Sequence, residues 1–187
     1  MTPTTGPTAT AAAPRYDGIA IAAHWLLALA IVLNLALGFY MHDLELSPQR
    51  LRLFNWHKWA GITILALSAL RLAWRLTHAP PADLPMPAWQ RVAAHAVHRA
   101  FYVLFFAVPL AGWGYSSAAG FPVVWFGVLP LPDWVPVDRA WADAFKAVHK
   151  AAAMALALLV LLHVAAALKH HLIDRDGLLR RMRPFQR

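Results

Sequence analysis

The chain has 187 residues, 60% hydrophobic and only 14% charged, with a formal net charge of +8. That composition is too apolar for a water-soluble domain of this length and places the chain in a lipid bilayer. The absence of cysteine excludes disulfides, thiolate metal sites and iron–sulfur clusters. The basic residues flank apolar runs and form neither one stripe nor an aromatic-interleaved patch, which argues against a nucleic-acid partner.

Residues 1–14, MTPTTGPTATAAAP, have no basic n-region and no apolar h-region, so they read as a disordered lead-in and not as a signal peptide. Four windows then follow that are long enough to cross about 30 Å of hydrocarbon as helices: 19–41, 57–74, 95–115 and 145–168. The second is short and ends in Arg71 and Arg75, whose side chains snorkel towards headgroups. The third contains Pro109, which predicts a kink, followed by Gly112 and Gly114, which admit close approach of a backbone or a bound group. The connection 116–144 carries Phe121, Trp125, Phe126, Trp134 and Trp141 among several prolines, which predicts a loop on the bilayer surface. Its apolar run FPVVWFGVLPLP is too short and too proline-rich for a fifth span. Even spacing without an internal repeat predicts one domain over 15–184, an all-α integral membrane four-helix bundle, followed by a tail at 185–187.

With four spans, both termini and the connection between spans two and three share a side. Eleven of the 17 Lys and Arg residues fall there, and six on the other side: Arg50, Arg52, Lys58, Arg139, Lys146 and Lys150. Basic residues collect in the cytoplasm, so both termini are expected to be cytoplasmic.

Histidines are the unusual polar residues of these spans. His149 and His163 lie fourteen residues apart in one apolar run, which on a helix is about 21 Å along the axis and within about 40° of one face. On the predicted topology His24 lies in the inner half, His57 and His149 open their spans at the outer surface, and His163 returns to the inner half. The depths therefore match His24 with His163 and His57 with His149. His98, near the start of span three, also reaches the inner level, and residue pattern alone leaves His24 and His98 as alternative partners of His163.

Two imidazoles per level across a wide bundle suit a flat macrocycle better than a zinc or copper ion. Bis-histidine haem has no open coordination position and favours outer-sphere electron transfer. Without a C-x-x-C-H motif any such haem is non-covalent, hence two haem b. Gly61, one turn after His57, is expected to leave space for a porphyrin face. His170 and His171, beyond Lys169, read as interfacial residues or propionate partners. A histidine-lined metal transporter is disfavoured, because the spans lack the carboxylates that accompany ion movement.

Four segments carry a resemblance: RYDGIAIAAHW, NWHKWAGITILALSALRLAWRL, AAHAVHRAFYVLFFAVPLAGW and VHKAAAMALALLVLLHVAAALKHHLIDRDGLLRRM, together covering most of 15–184. In order, spacing and flanking residues the chain resembles the bacterial di-haem cytochrome b561 family, whose members include inner-membrane superoxide oxidases. Related b-type anchors of hydrogenases and formate dehydrogenases resemble it less in length and in the HHLIDRDGLLRRM segment. The resemblance implies haem ligation by His24 and His163 at one level and by His57 and His149 at the other, in a multi-pass protein of the bacterial inner membrane that exchanges electrons with ubiquinone. His98 then becomes a propionate partner, with Arg71 or Arg75 compensating charge.

The expected reaction takes electrons from superoxide at the outer face to ubiquinone. Lys58, Lys146 and Lys150 beside His57 and His149 form an expected anion funnel, the alternative being that they hold propionates or snorkel. No residue is assigned a catalytic role. The other functional expectation is a non-catalytic electron-transfer subunit that serves a periplasmic redox protein, a separate dehydrogenase docked on the aromatic loop.

Overall fold

The computed structural model describes residues 15–184, so the expectations for 1–14 and 185–187 lie outside the described residues. Helix α1, Gly18–His42, starts where the extended residue Asp17 accepts the Ala20 N–H at 2.8 Å. The Trp74 indole donates to the same carboxylate at 3.2 Å and ties the start of α1 to the end of α2, Pro48–Thr77. Ser47 caps α2 by accepting the Arg50 N–H, and Pro48 occupies a first turn that needs no N–H donor. Helix α3, Ala88–Ala118, follows Pro87 and remains helical through Pro109. Helix α4, Arg139–Lys169, is capped by Asp138, which accepts the Trp141 N–H at 2.9 Å.

All four helices are long and apolar enough to cross a membrane. At 1.5 Å per residue their 25 to 31 residues span about 37 to 46 Å, more than the hydrocarbon thickness, so each protrudes. The apolar windows beginning at 57, 95 and 145 therefore mark helix centres. The helices themselves begin several residues earlier, at Pro48, Ala88 and Arg139.

Helix α1 packs on α2, α2 on α3, and α3 on α4. Leu27, Ile31, Ile64, Phe101 and Leu156 form the buried core at mid-height. Outside it, Leu29, Leu33, Leu70, Val103, Leu158 and Leu161 are exposed, an apolar perimeter that a bilayer covers.

The connection expected over 116–144 includes the last residues of α3 and the first of α4, and the stretch between them is not irregular throughout. It forms a two-stranded antiparallel hairpin, β1 Val124–Trp125 against β2 Leu129–Pro130, which packs on α2. Short tight strands accommodate the prolines because they lie at strand ends, where no ladder N–H is missed. At the opposite end, α4 runs into a π-helical turn, His170–Asp174, and a 3-10 turn, Leu178–Met182, separated by Arg175 and Gly177 in the left-handed region. This segment folds back: Trp25 Nε1 donates to Met182 O at 2.7 Å, Arg181 to Ala82 O at 2.8 Å and Arg15 to Arg183 O at 2.8 Å.

The hydrogen bond from Ala20 N–H holds the Asp17 carboxyl below its ordinary pKa. Because the folded value is depressed, the stabilisation is complete above the unfolded pKa of about 3.9 and is lost as pH falls through the folded value. Asp17→Ala should cost about 1 kcal/mol, the usual worth of such a cap. Thermal unfolding in detergent at neutral pH should show the loss, and the difference from the parent should vanish in strong acid.

Candidate paired-histidine site

An imidazole inside a bilayer needs a partner for each nitrogen. At the His57 end of the bundle, His57 on α2 and His149 on α4 face one another with ring centroids 6.0 Å apart and planes at 90°. His149 Nδ1 lies 2.9 Å from Val108 O on α3. One turn later Gly112 leaves room for the ring, since a Cβ there would stand 3.0 Å from His149 Cε1 and Nδ1. Helix α1 treats His57 in the same way. His57 Nδ1 is buried and turned towards the backbone of Asn34, short of full hydrogen-bond geometry, and a Cβ on Gly38, again one turn later, would stand 3.2 Å from His57 Cε1.

This repeated arrangement, a carbonyl at position i and a glycine at i+4, suits Nδ1 as the protonated nitrogen and leaves Nε2 of each ring for a metal. Two rings at this separation would hold a macrocycle's metal between their Nε2 atoms. The backbone agrees: among the described residues no extended packing joins α4 to α1 or α2, and the histidine pairs face each other across that space. The donor set and the glycine cradle thus suit a bis-histidine macrocycle.

At the other end, His24 on α1 lies 6.2 Å from His163 on α4, centroid to centroid, and His98 on α3 lies 5.8 Å from the same ring. Phe101 packs edge-on against His163 at 5.4 Å. The structure therefore brings all three imidazoles of this level together. Arg71 is near enough to act electrostatically on His24, His98 and His163, and Arg75 on His98. Among the described residues neither arginine has a carboxylate within ion-pair distance. An unpaired guanidinium beside buried imidazoles suits an anionic substituent such as a propionate.

Other expected residues stand as follows. Lys58 Nζ points at Phe121 O and Pro122 O, at 3.4 and 3.3 Å, and so tethers the hairpin connection to α2. Lys146 and Lys150 are exposed, with no hydrogen bond or ion pair among the described residues. His170 is engaged by Asp176 at 2.5 Å and by Asp174 at 3.2 Å, consistent with an interfacial position. Partial burial opposes ionisation of Asp176, but the bonds from Leu178 N–H and His170 outweigh it and lower its pKa.

Gly61 has no protein neighbour closer than Asn34 Nδ2 at 4.0 Å, and the glycine packed against the His57 ring is Gly38. Pattern reading overlooked Gly38, although its signal was present: it follows by one turn the polar Asn34 in the apolar centre of α1. Gly112 was marked for a close approach, and the ring it admits is His149.

A four-helix membrane bundle with facing imidazoles at two depths has the framework of an integral membrane electron carrier. The model of the prokaryotic cytochrome b561 family matches residues 15–185, and the chain belongs to that family. It is similar to cytochrome b561 homolog 2 of Escherichia coli K12, 35% identical over 90% of each chain. It is also similar to a probable superoxide oxidase of Yersinia pestis, 30% identical over 92% of this chain and 98% of that one. Cytochrome b561 homolog 1 of E. coli K12 is 30% identical over 91% and 97%. The protein is thus a haem-binding electron-transfer protein, multi-pass in the bacterial inner membrane.

Gly112→Ala should place a methyl group against the His149 ring, break its bond to Val108 O and destabilise that level by about 1–3 kcal/mol. Gly61→Ala meets no protein atom closer than 4.0 Å, so it should leave the fold intact and lower haem content only through the space expected for the macrocycle face. Haem content and the low-temperature α-band of the purified variants distinguish the two outcomes.

Proposed function

We propose that the chain carries two non-covalent haem b groups, one between His57 and His149 and one between His24 and His163, and passes electrons from superoxide to ubiquinone. The observation that carries this reading is the pair of imidazoles facing one another at each of two depths and, at the His57 level, oriented through Nδ1 by neighbouring backbone. Bound haem supplies one-electron chemistry at each level. The net reaction balances as two superoxide ions, one ubiquinone and two protons giving two dioxygen molecules and one ubiquinol. The eleven-to-six division of basic residues supports cytoplasmic termini, which puts His57 and His149 at the outer face.

This chain's own residues perform the positioning. The carbonyls of Asn34 and Val108 orient the outer imidazoles, and Gly38 and Gly112 give the rings room. Arg71, Arg75 and His98 compensate propionate charge at the inner level. Lys146 and Lys150, exposed on the turns around His149, gather the anionic substrate, while Lys58 adds charge and also holds the hairpin connection. The name of the Yersinia relative supports superoxide as the donor.

Stopped-flow mixing of the purified protein with pulsed superoxide, with and without a quinone analogue, tests the reaction. Haem reduction by superoxide followed by quinone-dependent reoxidation is expected; no reduction would transfer the donor role to a periplasmic redox protein. His149→Ala should remove one haem signal and largely spare the other. At the inner level His24→Ala should abolish low-spin ligation, whereas His98→Ala should retain it with a shifted potential. The reverse pattern would make His98 the ligand.

The superoxide rate should also depend on salt. It should fall as the Debye length shortens from about 30 Å at 0.01 M to about 8 Å near 0.15 M. Lys146→Gln with Lys150→Gln should lower the rate constant and flatten that dependence with both haems retained. An unchanged salt profile would eliminate the funnel.

A further inference from the structure

We propose that Arg50 is the carboxylate partner at the His57 level, its guanidinium holding a propionate of the macrocycle between His57 and His149 and setting the potential of that haem. The proposal rests on the two-haem reading and adds to it a residue that neither the lysines nor the histidine spacing singles out.

Position is the first argument. Arg50 precedes His57 by seven residues on α2, and Arg71 follows it by fourteen. On a helix that keeps all three within about 60° of arc, with Arg50 about 10 Å and Arg71 about 21 Å from His57 along the axis. This is the face on which His57 meets His149. Phe54 lies between Arg50 and His57 on the same face, and the Arg50 guanidinium sits over its ring at 5.4 Å. Side chains on a helix lean towards its N-terminus, so Arg50 stands beyond the His57 ring towards that end of the bundle.

Chemistry is the second. Arg50 is half-buried, and its Nε is sealed from solvent without a hydrogen-bond partner among the described residues. One terminal nitrogen reaches His42 O only at 3.5 Å. Among the described residues no carboxylate stands within ion-pair distance of it: Asp43, in the preceding connection, is engaged by His42 at 2.7 Å, and Glu45 makes no ion pair. A desolvated guanidinium without a counter-charge is costly, and its planar fork of donors matches a carboxylate. Phe54 offers the cation a ring face but no acceptor in the plane of the N–H groups.

The other cations at this end are placed differently. Lys58 turns to the carbonyls of Phe121 and Pro122, and Lys146 and Lys150 are exposed. Arg52 is exposed as well and lies about 140° round the helix from His57. Arg50 thus repeats at this level what Arg71 does at the other, a half-buried arginine without a carboxylate on the histidine face of α2. A positive charge fixed at the macrocycle edge favours the reduced haem, which carries one positive charge fewer, so Arg50 raises the potential here.

Redox titration of the purified, haem-loaded protein, followed in the α-band, compares the parent with Arg50→Gln, Arg50→Lys and Arg52→Gln. Arg50→Gln should lower the reduction equilibrium constant of one haem roughly tenfold, about 59 mV for one electron, and leave the other unmoved. The haem that moves should be the one whose signal His149→Ala removes. Arg50→Lys keeps the charge and loses the fork, so it should shift the same haem in the same direction by less, and Arg52→Gln should match the parent. If Arg50→Gln does not retain haem, Arg50→Lys carries the test, and a parental potential there would overturn the proposal. Parental potentials for both haems in Arg50→Gln, or an equal shift in Arg52→Gln, would overturn the role of Arg50 alone. Fewer than two low-spin haems in the parent would instead sink the two-haem reading, and the proposal with it.

Discussion

Every polar group within a bilayer must find its partner in the protein, and the construction of this chain follows from that requirement. A lone imidazole in an apolar helix is an unpaired donor and acceptor. Here His57 and His149 have Nδ1 turned to a backbone carbonyl on a neighbouring helix, and the glycine one turn beyond that carbonyl removes the side chain that would otherwise block the approach. Satisfying one nitrogen fixes the direction of the other. The caps at Asp17, Ser47 and Asp138 meet the related need of the helix starts, whose first N–H groups have no partner within the helix.

The second constraint is spatial. Helix α4 packs along α3 but not closely against α1 or α2, and the histidine pairs face one another across that separation. Between the two levels, Leu27, Ile31, Ile64, Phe101 and Leu156 fill the middle of the bundle. The polar chemistry is therefore divided into two small regions, each close to one end, with a dry apolar layer between them. On the proposed reading that layer keeps water and stray protons away from the electron path while leaving the two levels aligned through α4.

Much of this was legible in the residues because the controlling signals are local. Four apolar windows gave the helix count, and a fourteen-residue separation on one helix gave the two depths. Topology then matched His57 with His149, whose rings face each other, and at the other level left His24 and His98 open, both of whose rings lie near His163. What was not legible depended on contacts between distant segments. The apolar windows missed the polar first turns of α2, α3 and α4, because hydropathy measures lipid affinity and not helix length. Gly61 and Gly38 are equally glycine in a sequence, and only the rotation of α1 against α2 decides which of them meets His57. The hairpin escaped notice because two-residue strands carry no periodicity, and its prolines argue against any regular element. His98 stays close to His163 in space as it did in sequence reasoning, since both level and helix phase bring it there.

The fold-back at the His24 end has a bearing on how the protein is built. Trp25, beside His24 on the first helix, bonds to Met182, 157 residues later, and Arg15 reaches Arg183 across 168 residues. Closing a loop of that length costs little more than closing one of half the size, but it imposes an order in time. During synthesis the first three helices can enter the membrane and pack while Trp25 still lacks its acceptor. Both histidine pairs also draw one member from α4. The bundle consequently stays open on one side until its last helix arrives, and the segment that follows that helix fastens the end last. Neither histidine pair, and neither of these ties at the His24 end, can therefore form before α4 and the segment after it have been made.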